Sequence, residues 1–243
     1  MEKTVGKDEV FKTEIKIFAV SLLFVLIALA FCLWSKYLFF EKPVVTNSGS
    51  EPFYTVIIDA GHGGVDGGAE AQGVFEKDLN LQVALKIQEF LSYYNVQCVL
   101  TRDDDSLLSD EGATHKKASD LKNRVKVAGE YQNPIFVSIH MNKFPEEKYF
   151  GTQVFYSRNN PLSEALALSI QNGVSAKIQK DNKRQVKEAR SNIFVLDRLD
   201  CPAVLIECGF MSNNVELSNL CNEEYQNKLA FIIASSIINF IVL

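Results

Sequence analysis

Apolar and polar positions follow three different rhythms along this chain, and each predicts a different kind of element. The first is continuous: from Ile17 to Ser35, "IFAVSLLFVLIALAFCLWS", nineteen residues pass without a charge, with Lys12 and Lys16 before them and Lys36 after. That length crosses a hydrocarbon core as a helix, and Trp34 and Tyr37 suit the interface. The run lacks the polar face that a helix on a globular surface carries. It reads as a transmembrane anchor over 17–35 or as a signal peptide. "ALA" at 28–30 resembles a cleavage site, but the apolar stretch continues past it, which favours the uncleaved anchor. Lys3, Lys7, Lys12 and Lys16 assign residues 1–16 to the cytoplasm. The expected location is therefore the cell membrane, single-pass, with the folded domain outside it, or secretion if the segment is cut.

Residues 36–52 form the expected linker, since "EKPVVTNSGSEP" is rich in Pro, Ser, Gly and Asn and cannot pack a core. From Phe53 to the end, over 53–243, the other two rhythms alternate. Short apolar runs predict strands at Tyr54–Asp59, Gln97–Thr101, Ile135–Ile139, Gln153–Tyr156 and Ala203–Glu207, with a weaker one at Ile193–Leu196. Between them, helical spacing puts Leu79, Val83, Ile87, Phe90 and Tyr94 on one face. Leu121, Val125 and Ala128 share another, Leu162, Ala165, Leu166, Ser169 and Ile170 a third, and a last helix spans Leu229–Ile241. Apolar runs flanked by helices are what a sheet covered on both faces requires. The expected fold is an α/β three-layer sandwich with a mostly parallel central sheet, ligands binding beyond the carboxyl ends of its strands.

Charge and composition narrow the partners. A net charge of -5 over 243 residues argues against nucleic acid, which asks for a basic face. Outside the apolar run, Cys98, Cys201, Cys208 and Cys221 show no C-x-x-C spacing, and their apolar neighbours predict buried free thiols rather than disulfides.

The chemistry begins at "VIIDAGHGGVDGG", Val56 to Gly68, where five glycines surround His62. A dinucleotide loop would need glycine where Asp66 stands, and an aspartate there repels a pyrophosphate. The glycines instead turn the chain sharply and clear space for a metal and a bulky substrate. His140 closes the run "NPIFVSIH", so two of the three histidines fall at strand ends. Glu207 lies in the apolar run "PAVLIECGF", where an unpaired carboxylate is costly, and Glu76 lies in the loop before the first helix of the domain. Imidazoles and carboxylates together suit Zn2+: three ligands leave a place for water, and a further glutamate off the metal can take the water's proton.

"IIDAGHGGVDGGA", "EKDLNLQVA", "TRDDD", "LKNRVKVA", "FVSIHMN", "GTQVFYS" and "PAVLIECGFMSN" together resemble the zinc-dependent N-acetylmuramoyl-L-alanine amidases of bacterial cell walls, over about Thr55 to Ile241. The resemblance implies His62, Glu76 and His140 as zinc ligands, Glu207 as the catalytic carboxylate, and peptidoglycan as substrate. "EKDLN", "ECGFMSN" and the anchor-plus-bare-domain layout look most like the germination-specific, spore-cortex branch, which prepares muramic acid for lactam formation. Division-type relatives carry an inserted plug helix, and Met141 to Phe150 is too short for one, so control would come from a protein activator, zinc supply or location. Arg102, Asp104 and Arg124 are expected to form a structural ion pair, Cys208 to pack, and His115 to be solvated. Two other readings of the same residues are a zinc peptidase cutting within the stem peptide and an inactive membrane-tethered scaffold.

Overall fold

The structure, a computed structural model, describes residues 16, 18–28 and 53–242. The chain divides into two units, 1–46 and 47–243. In the first, 18–28 are helical with exposed side chains, Phe18 being 71% and Phe24 69% accessible. No helix among the described residues is long and apolar enough to cross a membrane, and all of the expected linker and the ends of the apolar run lie outside them.

In the second unit, β1 (Thr55–Ala60) is followed by a small antiparallel hairpin of β2 (Glu70–Ala71) and β3 (Val74–Phe75). Then come α1 (Glu76–Tyr93), β4 (Cys98–Leu100), α2 (Lys116–Gly129), β5 (Pro134–Asn142) and β6 (Gln153–Tyr156). The chain finishes with α3 (Leu162–Lys177), β7 (Lys187–Glu188), α4 (Phe194–Arg198), β8 (Ala203–Phe210), α5 (Asn214–Leu220) and α6 (Glu223–Ile241). Six strands form one sheet in the order β4-β1-β5-β8-β6-β7.

Burial on both faces explains why β1 is apolar throughout and why the expected strands are short runs rather than alternations. On one face Val56, Ile58, Val137, Ile139 and Ile206 meet α1, α3, α5 and α6. On the other, Ile57, Phe136, Ala203 and Leu205 meet α2 and α4. The three layers are those expected. From β1 the chain moves outward to β4 and then back across to β5, and a right-handed crossover in each direction puts α1 and α2 on opposite faces. The reversal makes the carboxyl ends of β1 and β5 the switch point where a ligand site forms.

The sheet is mostly parallel, as expected, and mixed because of one antiparallel pairing. β4, β1, β5 and β8 run parallel, but β6 is antiparallel to β8, and β7 follows β6. The reason is the ten-residue link 143–152, which has no helix and is too short for the crossover a parallel neighbour requires. The weak strand at Ile193–Leu196 is instead helix α4, whose Val195 and Leu196 complete the thinner helical face. An apolar run this short has no resolvable period of its own. Cys98, Cys201, Cys208 and Cys221 are free, but only Cys208 is fully buried; Cys221 is exposed.

Candidate metal centre

β1 ends at Ala60, and Gly61 N still donates to Ile139 O, so the chain leaves the sheet only at His62. His62 has φ 61°, a left-handed conformation that costs a non-glycine residue strain. Buried cations hold it there. Arg102 Nε (2.9 Å) and Arg124 Nη1 (2.7 Å) both donate to Ala60 O, and Arg124 Nη2 donates to His62 O at 2.6 Å. Gly61 O accepts from Arg102 Nη2 and Asn80 Nδ2, each at 3.0 Å. Arg102 also donates to Lys77 O at 2.8 Å, joining the His62 turn to the first turn of α1.

Glu76 is the first residue of α1 rather than part of the preceding loop. Its Oε2 accepts from Ala69 N at 2.8 Å, while Oε1 faces the site. Oε1 lies 2.9 Å from His140 Nδ1, 3.3 Å from His62 Nε2 and 3.1 Å from Met141 N. Burial would raise its pKa, but the two imidazoles outweigh that and hold the carboxyl well below the usual range. His140 and Glu207 sit inside their strands rather than at the ends: β5 continues to Asn142 and β8 to Phe210, with an irregularity after His140. They are direct neighbours across β5 and β8. By strand alternation both project on the face of Phe136 and Leu205, the thinner helical side.

One donor atom each from His62, Glu76 and His140 comes within 4.8 Å of the others, a group of three that fits a metal ion. Two nitrogens and one oxygen are the donor set zinc takes at catalytic sites. Glu207 Oε2 is buried and has no hydrogen-bond partner, as a group reserved for substrate or water would be. Burial pushes its carboxyl up to about 7; the His140 imidazole opposes that rise and Glu76 adds to it. Cys208, next in sequence, points to the opposite core, where burial raises its thiol. It packs, as expected.

The glycines around His62 make room for side chains of the site itself. A Cβ on Gly61 would enter the His140 ring, and one on Gly68 would stand 2.6 Å from Glu76 Oε2. Gly61→Ala should therefore yield a folded protein with displaced His140, a severe loss of activity and substoichiometric metal by elemental analysis. Full metal content with near-normal activity would show that the ring can yield.

Some site residues were not apparent from sequence. Asp66, read only as hostile to phosphate, has Oδ2 2.9 Å from His62 Nδ1, near but not aligned for a hydrogen bond. Asn80, one helical turn after Glu76, is buried and 3.4 Å from Glu76 Oε1. That i, i+4 spacing was the available signal. The ion-pair expectation holds for Arg124, but its partners are Asp59 (2.6 Å) and Asp120 (2.8 Å). Arg102 instead spends its donors on carbonyls, that of Asp104 among them. His115 is exposed at the start of α2.

Two imidazoles and two carboxylates at the switch point of a three-layer α/β scaffold fit the class of hydrolases that activate water. Residues 56–239 match the N-acetylmuramoyl-L-alanine amidase family, Amidase_3, and the chain belongs to it. It is 33% identical over 188 residues to the germination-specific N-acetylmuramoyl-L-alanine amidase of Bacillus subtilis, covering 76% of this chain and 78% of that protein. Among solved structures, the CwlD amidase of Clostridioides difficile, in complex with the GerS lipoprotein, superposes with a TM-score of 0.73 at 39% identity. That match covers 77% of this chain and 98% of the other. The amidase AmiC2 of Nostoc punctiforme matches with a TM-score of 0.68 at 31% identity, over 80% of this chain and all of its own. The activity is hydrolysis of the amide between N-acetylmuramic acid and L-alanine in peptidoglycan, and members of the family are generally zinc-dependent.

Proposed function

We propose that this amidase is a zinc enzyme of spore-cortex maturation, with His62, Glu76 and His140 as ligands and Glu207 as the acid–base. The observation that carries the reading is the convergence of the three donors next to a buried carboxylate with one unpartnered oxygen. When bound, zinc supplies Lewis acidity, polarising the lactyl carbonyl and acidifying a water. Glu207 Oε2 accepts the proton of the attacking water and returns it to the leaving nitrogen of L-alanine. Strand pairing holds Glu207 beside His140, and Glu76 keeps its charge among the imidazoles.

The cortex role rests on the similarity to the germination-specific amidase, and a protein activator on the relative crystallised with a lipoprotein. The link 143–152 contains no helix that could plug the site. We place the domain outside the cytoplasm, in the space between forespore membranes, anchored by 17–35. The exposed Phe18, Leu22, Leu23 and Phe24 support that anchor. Secretion after cleavage would appear as a shortened chain in the soluble fraction.

Digestion of purified peptidoglycan with and without chelator, read by mass spectrometry, tests the reading. Intact stem peptides should be released, and chelator should abolish release until zinc is restored. Shortened stems would indicate a peptidase, no change a binding scaffold, and chelator-resistant release would remove the metal.

A further inference from the structure

From the end of α3 to just past β7 the chain turns basic: Lys177, Lys180, Lys183, Arg184, Lys187 and Arg190 stand against only Asp181 and Glu188, in a chain of net charge -5. Within this segment Arg184 is fixed. Its Nε donates to Phe150 O at 2.7 Å, and its guanidinium lies 4.5 Å from the centroid of the Phe210 ring. Its backbone N donates to Asn182 Oδ1 at 3.0 Å, and Asn182 is itself buried and bonded to Thr152 O at 2.9 Å. Gly151, at φ 89°, leaves no room for a Cβ because the Asn182 amide fills it. Thus the strap is tied to the link that follows β5.

The two terminal nitrogens of Arg184 meet no acceptor and no carboxylate within ion-pair distance among the described residues. Glu216, whose charge Arg184 favours through space, has its own oxygens on Gly151 N (2.9 Å) and Phe210 N (2.7 Å). What remains is a guanidinium fork, stacked and oriented, with its donor edge unused. Such a fork takes a planar carboxylate through two parallel hydrogen bonds, at little cost in side-chain freedom because the fork is already held.

Its place is beside the reacting strand. Phe210 closes β8, the strand of Glu207. Gln153 of β6 pairs directly with Glu207 and donates through Nε2 to Gln185 O at 2.6 Å. A peptide joined to muramic acid through its N-terminus presents carboxylates, from acidic side chains or its free end, at a distance from the bond being cut. We propose that Arg184, supported by Lys183 and Lys187, is the seat for a carboxylate on the peptide arm of the substrate and selects for it. The inference rests on Glu207 and its neighbours being the reacting centre.

The test compares wild type, Arg184→Gln and Arg184→Lys on matched muramoyl peptides: one with free carboxylates, one amidated at its C-terminus, one amidated at its acidic side chain. KM for the free acid should rise about 10-fold or more in Arg184→Gln, as expected for losing a charged hydrogen-bonded contact, with the loss falling on KM rather than kcat. Arg184→Lys, which keeps charge but not the fork, should fall between. Amidation of the group that Arg184 holds should raise KM for wild type and leave Arg184→Gln unaffected, and the arm showing this coupling identifies the carboxylate. Equal KM changes on all three peptides would overturn the proposal, leaving Arg184 a purely structural tie. Retained activity in His140→Ala would instead overturn the reading of the centre, whatever Arg184 does.

Discussion

Glu207→Gln should reduce kcat by about 10²–10⁴-fold, the range removed with a positioned acid–base group, and leave zinc content unchanged. Glutamine has nearly the same shape, so the pairing of β8 with β5 and the packing around position 207 persist. What it loses is the ability to take a proton at the oxygen that is buried and unpartnered in the wild type. Peptide release from purified muropeptides, measured with zinc analysis on the same sample, checks both halves. A near-normal rate would move the acid–base role elsewhere, and loss of zinc would make Glu207 a ligand.

The second large effect is on stability. Arg124→Met should destabilise the domain by about 3–5 kcal/mol, the usual result of removing one partner from a buried ion pair. Arg124 lies between Asp59 and Asp120 with almost no exposure, and also donates to the carbonyls of Ala60 and His62. Asp59, buried from solvent, would be left with only hydroxyl partners, Ser138 at 2.6 Å and Thr101 at 2.8 Å. In the wild type, burial pushes the Asp59 pKa up, but Arg124, Ser138, His140 and Thr101 together bring it below the ordinary value. A depressed folded pKa contributes stability that is present above the unfolded value, about 4, and lost as pH falls through the folded one. The Asp59 contribution therefore holds from neutral pH down to about 4 and fails in stronger acid. In Arg124→Met burial prevails and raises the Asp59 pKa, so the sign reverses and melting temperature should climb as pH is lowered from 7 to 5. Thermal melts of both proteins across that range decide it; parallel curves would mean that Arg124 does not control Asp59.

How far the chain's pattern reaches is clearest at particular elements. β1, β5 and β8 were apparent because a strand buried on both faces must be a continuous apolar run, and α1 because its buried positions repeat at helical spacing. The orientation of β6 was not, because it depends on what a ten-residue link can span rather than on the strand's own residues. Nor was α4, five residues long and too short to display a period. Among charged residues, an expected ion pair became two different arrangements. Arg124 found carboxylates and Arg102 found carbonyls, and nothing local to either residue distinguishes the two outcomes.

His62, Glu76, His140 and Glu207 could be chosen from the sequence because each is an expensive residue in an apolar or glycine-rich setting, and because their motifs stand in order along the chain. Composition and periodicity likewise determine the layered α/β class, since burial of apolar surface is written residue by residue. Tertiary structure alone decided that the four side chains meet. It set His62 in a left-handed turn held by two arginines, put Glu76 at the head of a helix, and made His140 and Glu207 neighbours across two strands. Positions 62 and 207 are distant in sequence, and only the register of the sheet and the packing of its helices set the distance between such groups. The five glycines from Gly61 to Gly68 show the same division. Their number marks a tight turn, but only the folded chain shows that Gly61 and Gly68 keep clear the space that His140 and Glu76 occupy.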